Sequence, residues 1–126
     1  MTQAQVSERL IKRIRWLGGS DPTWSKEDGR PPTAWAVEQA LRLLDRVAQA
    51  GQPYQSEPQV TATARGGIEF LWKGAGDREL DVVLPPREGL PIEIAWAVKQ
   101  DGSTTEVERE ALTIDDTVAV IVHAVS

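Results

Sequence analysis

The stretch Val60-Thr-Ala-Thr-Ala-Arg-Gly66-Gly67-Ile-Glu-Phe-Leu-Trp72 decides the fold. Around two adjacent glycines the apolar residues recur at every second position, Val60, Ala62 and Ala64 before them and Ile68, Phe70 and Trp72 after. A period of two sends alternate side chains to opposite faces of an extended chain, and Gly-Gly supplies the positive φ that a two-residue reversal needs. The segment predicts a β-hairpin turning at Gly66-Gly67.

The same period continues downstream. A turn from Gly74 to Asp77 leads into Leu80, Val82 and Leu84, and Pro85-Pro86 stops that strand because proline donates nothing to a ladder. Ile92, Ile94, Trp96 and Val98 share a face of a fourth strand, Asp101-Gly102 reverses the chain, and Thr104 to Glu110 forms a fifth, more exposed strand around Val107. The tail, residues 113–125, carries two signals. Thr113-Ile-Asp-Asp116 reads as a helix cap, whereas Val118, Val120 and Val122 suit a strand; the reading adopted is a short C-terminal helix.

Upstream the period is helical. From Gln3 to Leu17, Val6, Leu10, Ile14 and Leu17 form a stripe that Ile11 widens, and Gly18-Gly19 ends it. Ser20 to Pro32 has loop composition, with Trp24 as its anchor. A second helix follows Pro31-Pro32, with Thr33 as N-cap and Val37, Ala40, Leu41, Leu44, Val47 and Ala48 as its buried face, until Gly51 and Pro53 terminate it. The expectation is a single α+β domain spanning residues 1–126, two N-terminal helices on one face of a roughly five-stranded antiparallel meander and a short C-terminal helix.

Composition narrows the chemistry. The 126 residues contain no cysteine, which excludes disulfides, thiol nucleophiles and cysteine metal sites. Net charge is −5, divided between a basic first part (residues 1–53, 8 Lys/Arg against 6 Asp/Glu) and an acidic remainder (6 against 13). An acidic sheet is a poor surface for phosphate, so nucleic acid is not the expected partner. The longest apolar run, Thr117 to Val125, is too short for a membrane span, and Met1 to Arg15 has no apolar signal region, so the expected location is cytoplasmic and away from membranes.

The segment Trp24-Ser-Lys-Glu-Asp-Gly-Arg-Pro-Pro-Thr-Ala-Trp35, with the Ala-rich helix after it, and Gly66-Gly67-Ile-Glu-Phe-Leu-Trp72 resemble a group of small uncharacterised prokaryotic proteins with a Gly-Trp-Asp-Gly motif and a Gly-Gly-Ile-x-Leu-Glu-Trp strand. The likeness covers roughly residues 10–84. It departs from the pattern at Thr23, which replaces a glycine, and at Ser25, Lys26 and Glu27, which separate Trp24 from Asp28-Gly29. The resemblance implies a fold and a bacterial origin and carries no activity.

Catalytic patterns are incomplete. Glu79-x-Asp81 and Glu93-Ile-Ala95, on neighbouring strands, look like the acids of a PD-(D/E)xK nuclease, where hard oxygen ligands hold Mg²⁺. That family has a lysine two positions after the last acid; here Ala95 stands there, and Lys99 lies about 13 Å further along an extended strand. The competing reading makes Glu79, Asp81 and Glu93 the solvated face of a sheet whose other face is Leu80, Val82, Ile92 and Ile94. His123 is the sole histidine, so neither a histidine metal site nor a serine–histidine pair is expected, and no phosphate-binding loop occurs. No cofactor is implied.

The remaining signals concern partners. Arg9, Lys12, Arg13 and Arg15 crowd the first helix, and Trp16, Trp24 and Trp35 fall outside the regular apolar faces. Exposed together they would form an aromatic, basic patch for a protein partner; otherwise Trp24 plugs the loop and the arginines are a solvated helix face. The leading expectation is a non-enzymatic protein-interaction module, an accessory or antitoxin-like subunit, binding through Trp16, Trp24, Trp35, Arg9 and Arg13 or through a sheet edge. The alternatives are a metal-dependent or degenerate nuclease using Glu79, Asp81 and Glu93, and a self-associating structural protein.

Overall fold

The structure, a computed structural model, describes residues 7–18, 31–76 and 78–125. Its elements are α1 (Glu8–Gly18), α2 (Ala34–Ala50), a 3₁₀ turn (Pro53–Gln55), β1 (Gln59–Ala62), β2 (Ile68–Lys73), β3 (Glu79–Leu84), β4 (Ile92–Gln100), β5 (Ser103–Ala111) and α3 (Ile114–Val125). The strands form one antiparallel sheet in chain order, β1-β2-β3-β4-β5. This is the α+β meander that the alternation predicts. Residues 1–6, at the expected start of the first helix, and residues 19–30, which include Trp24, the expected anchor of the loop, lie outside the described residues.

Alternation explains the core. Ile68, Phe70 and Trp72 of β2, Leu80, Val82 and Leu84 of β3, and Ile92, Ile94 and Trp96 of β4 are buried together on one sheet face. Phe70 and Trp72 stack with ring centroids 5.6 Å apart. Removing such side chains from water contributes about 2–3 kcal/mol each. The helices cover this face: α2 lies over β2 and β3, α3 over β4 and β5, and α1 against α2 and β1.

The caps follow the sequence. Thr33 Oγ1 accepts the Ala36 amide at 3.0 Å, and Gly51 closes the other end of α2 with its amide on the Val47 carbonyl. Thr113 caps α3 by accepting the Asp116 amide at 3.0 Å, which decides the ambiguous tail in favour of helix, here twelve residues long. The buried face of α2 is rotated from expectation: Ala36 and Leu43 are fully buried, while Val37 and Leu41 pack at its margin. The helix meets both the sheet and its two neighbours, so its apolar arc is wider than a single stripe.

One turn differs. Ala62 pairs with Ile68, so five residues, 63–67, separate the strands instead of two, and Ala64 is outside the ladder. Only Gly66 has positive φ, +88°, whereas a two-residue type I′ turn needs it at both central positions. Thr63 takes over, with its amide on the Gly67 carbonyl and its Oγ1 accepting the Gly67 amide at 3.0 Å. Gly67 is instead required by proximity, since a Cβ there would stand 2.1 Å from the Leu84 carbonyl oxygen. The Asp101-Gly102 turn does have positive φ at both residues, +50° and +79°, and is the tight reversal predicted.

Candidate functional site

Register divides the sheet into two unlike faces. Opposite the core face, cross-strand rows run Glu69–Val83–Glu93–Glu110, Leu71–Asp81–Ala95–Glu108 and Ala97–Glu106. The helices lie on the other side, so this face is open and densely acidic. Small residues, Ala95 and Ala97, floor it, and Asp81, Ala95, Glu106 and Glu108 border a shallow depression of about 580 Å³.

Asp81 is the most perturbed carboxyl there. Burial, then a hydrogen bond to the Glu69 carboxyl, then the charges of Glu69, Glu79 and Glu106 push it up to about 7. Its Oδ1 is buried and accepts no hydrogen bond from the described residues. A proton on Asp81 therefore removes repulsion and supplies the donor that two neighbouring carboxyls need. Asp81 stands opposite Ala95, and Glu93 opposite Val83 one row away, so the two acids of the nuclease reading are diagonal neighbours. Among the described residues no group of three or more His, Asp or Glu is arranged to hold a metal ion. The backbone of Lys99 pairs with Thr104, at the far end of β4, and its side chain lies outside the description.

Two basic residues of α1 are engaged within the chain. Arg9 pairs with Glu57 at 3.0 Å, and Arg13 donates from Nε to the Val60 carbonyl at 3.2 Å while its guanidinium lies 5.2 Å from the centre of the Trp16 ring. Trp16 is 51% exposed, Trp35 is half-buried in the first turn of α2, and Trp24 is outside the described residues. Trp72 and Trp96, in phase with the apolar faces of their strands, are buried.

The two sheet edges are unequal. β1 has four residues, and α1 lies beside it with Arg13 on its outward carbonyl. β5 has nine residues, eight of them exposed or half-exposed, with no bulge and no proline. Its tight turn makes Gln100–Ser103 a hydrogen-bonded pair, and bonding then alternates. Thr105, Val107, Arg109 and Ala111 bond to β4, while Thr104, Glu106, Glu108 and Glu110 direct their amides and carbonyls outward. Arg109 agrees with this phase, since its Nη1 donates to the Glu108 carbonyl at 2.8 Å while its guanidinium rests over Trp96. No further strand pairs with this edge among the described residues.

Beside the end of β5 a mainly apolar groove opens between strand and helix, lined by Pro91, Ala111, Leu112, Ala119 and Val120 together with the acids Glu110 and Asp116. Leu112 is 68% exposed and Val122 of α3 47%. α3 is apolar nearly all round, a composition suited to burial, yet one side of it faces solvent. The sequence signals for this surface were the Glu106-x-Glu108-x-Glu110 alternation and the valine run of the tail; the Asp81–Glu69 pair had none, because it depends on which residues two strands set side by side.

Comparison with protein-family models, curated proteins and solved structures gives no match. Among the described residues no helix is long and apolar enough to cross a membrane.

Proposed function

We propose that this domain is a protein-interaction module that binds by strand addition, taking an extended segment of a partner onto the outer edge of β5. The observation that carries the reading is the inequality of the edges: β1 is four residues long with α1 beside it and Arg13 of that helix on its outward carbonyl, whereas β5 offers nine residues in straight register and has only its own Arg109 on the Glu108 carbonyl. Long edges are templates for pairing, and folded domains blunt them with short strands, proline, bulges, charged side chains or a covering element. Of these β5 carries only charges, Glu106, Glu108, Arg109 and Glu110, which disfavour a like-charged strand and leave the edge open to a complementary one. In strand addition the main chain supplies affinity and alternate side chains supply selectivity. The groove at Leu112 supports the reading, because side chains on the helix-side face of an added strand would project towards it.

Selection from a displayed random-peptide library tests this, run on the wild type and on Glu108→Pro. Proline there removes an outward amide and leaves the bonds to β4 in place. The expected result is a set of extended peptides enriched on the wild type and lost on the variant. Peptides enriched equally on both, or none enriched on either, would refute strand addition at β5.

A further inference from the structure

Resting on the strand-addition reading of β5, we infer that the occupant of this edge is a heterologous segment with lysine or arginine at alternating positions and apolar residues between them. The same β5 residues that direct backbone groups outward, Glu106, Glu108 and Glu110, also carry their side chains on the open acidic face. In an antiparallel pair, residues opposite one another project to the same side of the sheet, about 5 Å apart. Partner residues bonded to Glu106, Glu108 and Glu110 thus bring their side chains against three carboxylates, with the depression over Ala95 and the Asp81–Glu69 pair continuing the negative surface behind them. Intervening residues face the helix layer, where Leu112, Ala119 and Val120 line the groove.

The same phase argues against a second copy of this chain. An outward residue of one β5 can bond only with an outward residue of another, so two copies would set glutamate against glutamate, or against Thr104, at every central position. Like charges directly opposed destabilise a strand pair, and opposite charges stabilise it. Arg109 holds the Glu108 carbonyl in the unbound domain, and an incoming amide would take its place on that oxygen.

The test is fluorescence anisotropy of three labelled ten-residue peptides, alternating Lys/Val, Glu/Val and Ser/Val, titrated with the wild type, with Glu108→Pro, and with the triple variant Glu106→Lys, Glu108→Lys, Glu110→Lys. The expected order on the wild type is Lys/Val above Ser/Val above Glu/Val, with Lys/Val binding weakened by salt. The triple variant should reverse the order, with Lys/Val losing about tenfold or more. Circular dichroism confirms that each variant folds. Peptides that bind irrespective of charge and are lost on Glu108→Pro would overturn the basic-partner inference while leaving strand addition standing. Binding insensitive to Glu108→Pro would overturn both, and a dimer abolished by Glu108→Pro would place a second copy on the edge and overturn the inference.

Discussion

Arg13 donates its Nε–H to the outward carbonyl of Val60 at 3.2 Å, and so a residue of α1 closes the β1 margin of the sheet. Nothing equivalent from another element reaches β5 among the described residues, where Arg109 of the strand itself holds the Glu108 carbonyl. Arg13→Ala should lower stability by about 1 kcal/mol, the ordinary worth of one such bond, as measured by urea unfolding. It should also shift Trp16 emission, because the guanidinium over that ring is lost.

Asp81 makes stability fall as pH rises. Its folded value, about 7, lies above the 3.8 of an ordinary aspartate, so between these limits the folded state holds more proton than the unfolded one. The penalty is absent below about pH 4 and complete above about pH 7. Asp81→Asn should therefore stabilise the domain at pH 8 and have little effect at pH 4. The site is partly exposed and screened, so about 1 kcal/mol is expected at pH 8 in thermal melts. An equal effect at both pH values would point to packing instead.

Trp72 is fully buried, and its indole N–H donates to Gln52 Oε1 at 3.0 Å. Gln52→Ala leaves that donor unsatisfied and should cost about 1–3 kcal/mol, whereas Gln52→Glu, which keeps an acceptor, should cost less. Denaturant titrations of the two variants distinguish the lost acceptor from lost side-chain bulk.

Thr33 makes three hydrogen bonds at the start of α2: Oγ1 caps the Ala36 amide within the helix, the hydroxyl donates to the Pro86 carbonyl after β3, and its own amide donates to the Gly66 carbonyl in the loop between β1 and β2. Thr33→Ala should cost about 1–2 kcal/mol by equilibrium unfolding, and Thr33→Ser should restore most of it.

These residues show where the sequence was legible. Val60 to Trp72 and Ile92 to Val98 announce strands because burial on one face imposes period two, and Thr33 and Thr113 announce helix starts because a cap is local chemistry. The length of the first hairpin loop was not legible: Gly66-Gly67 is a turn signal, but Thr63 and the close approach of Leu84 set the geometry. Of the candidate residues, Arg9 and Arg13 have partners 48 and 47 residues away, and Asp81 owes its environment to Glu69 and Glu106 on other strands. Such pairings are fixed by register, which short-range pattern does not carry.

The most direct measurement is residue-resolved amide exchange on β5 with and without the alternating Lys/Val peptide. Strand addition predicts new protection at Thr104, Glu106, Glu108 and Glu110, whose amides point outward, and little change at Thr105, Val107 and Arg109, which already bond to β4. Uniform protection along β5, or protection confined to α1 around Trp16, would contradict it.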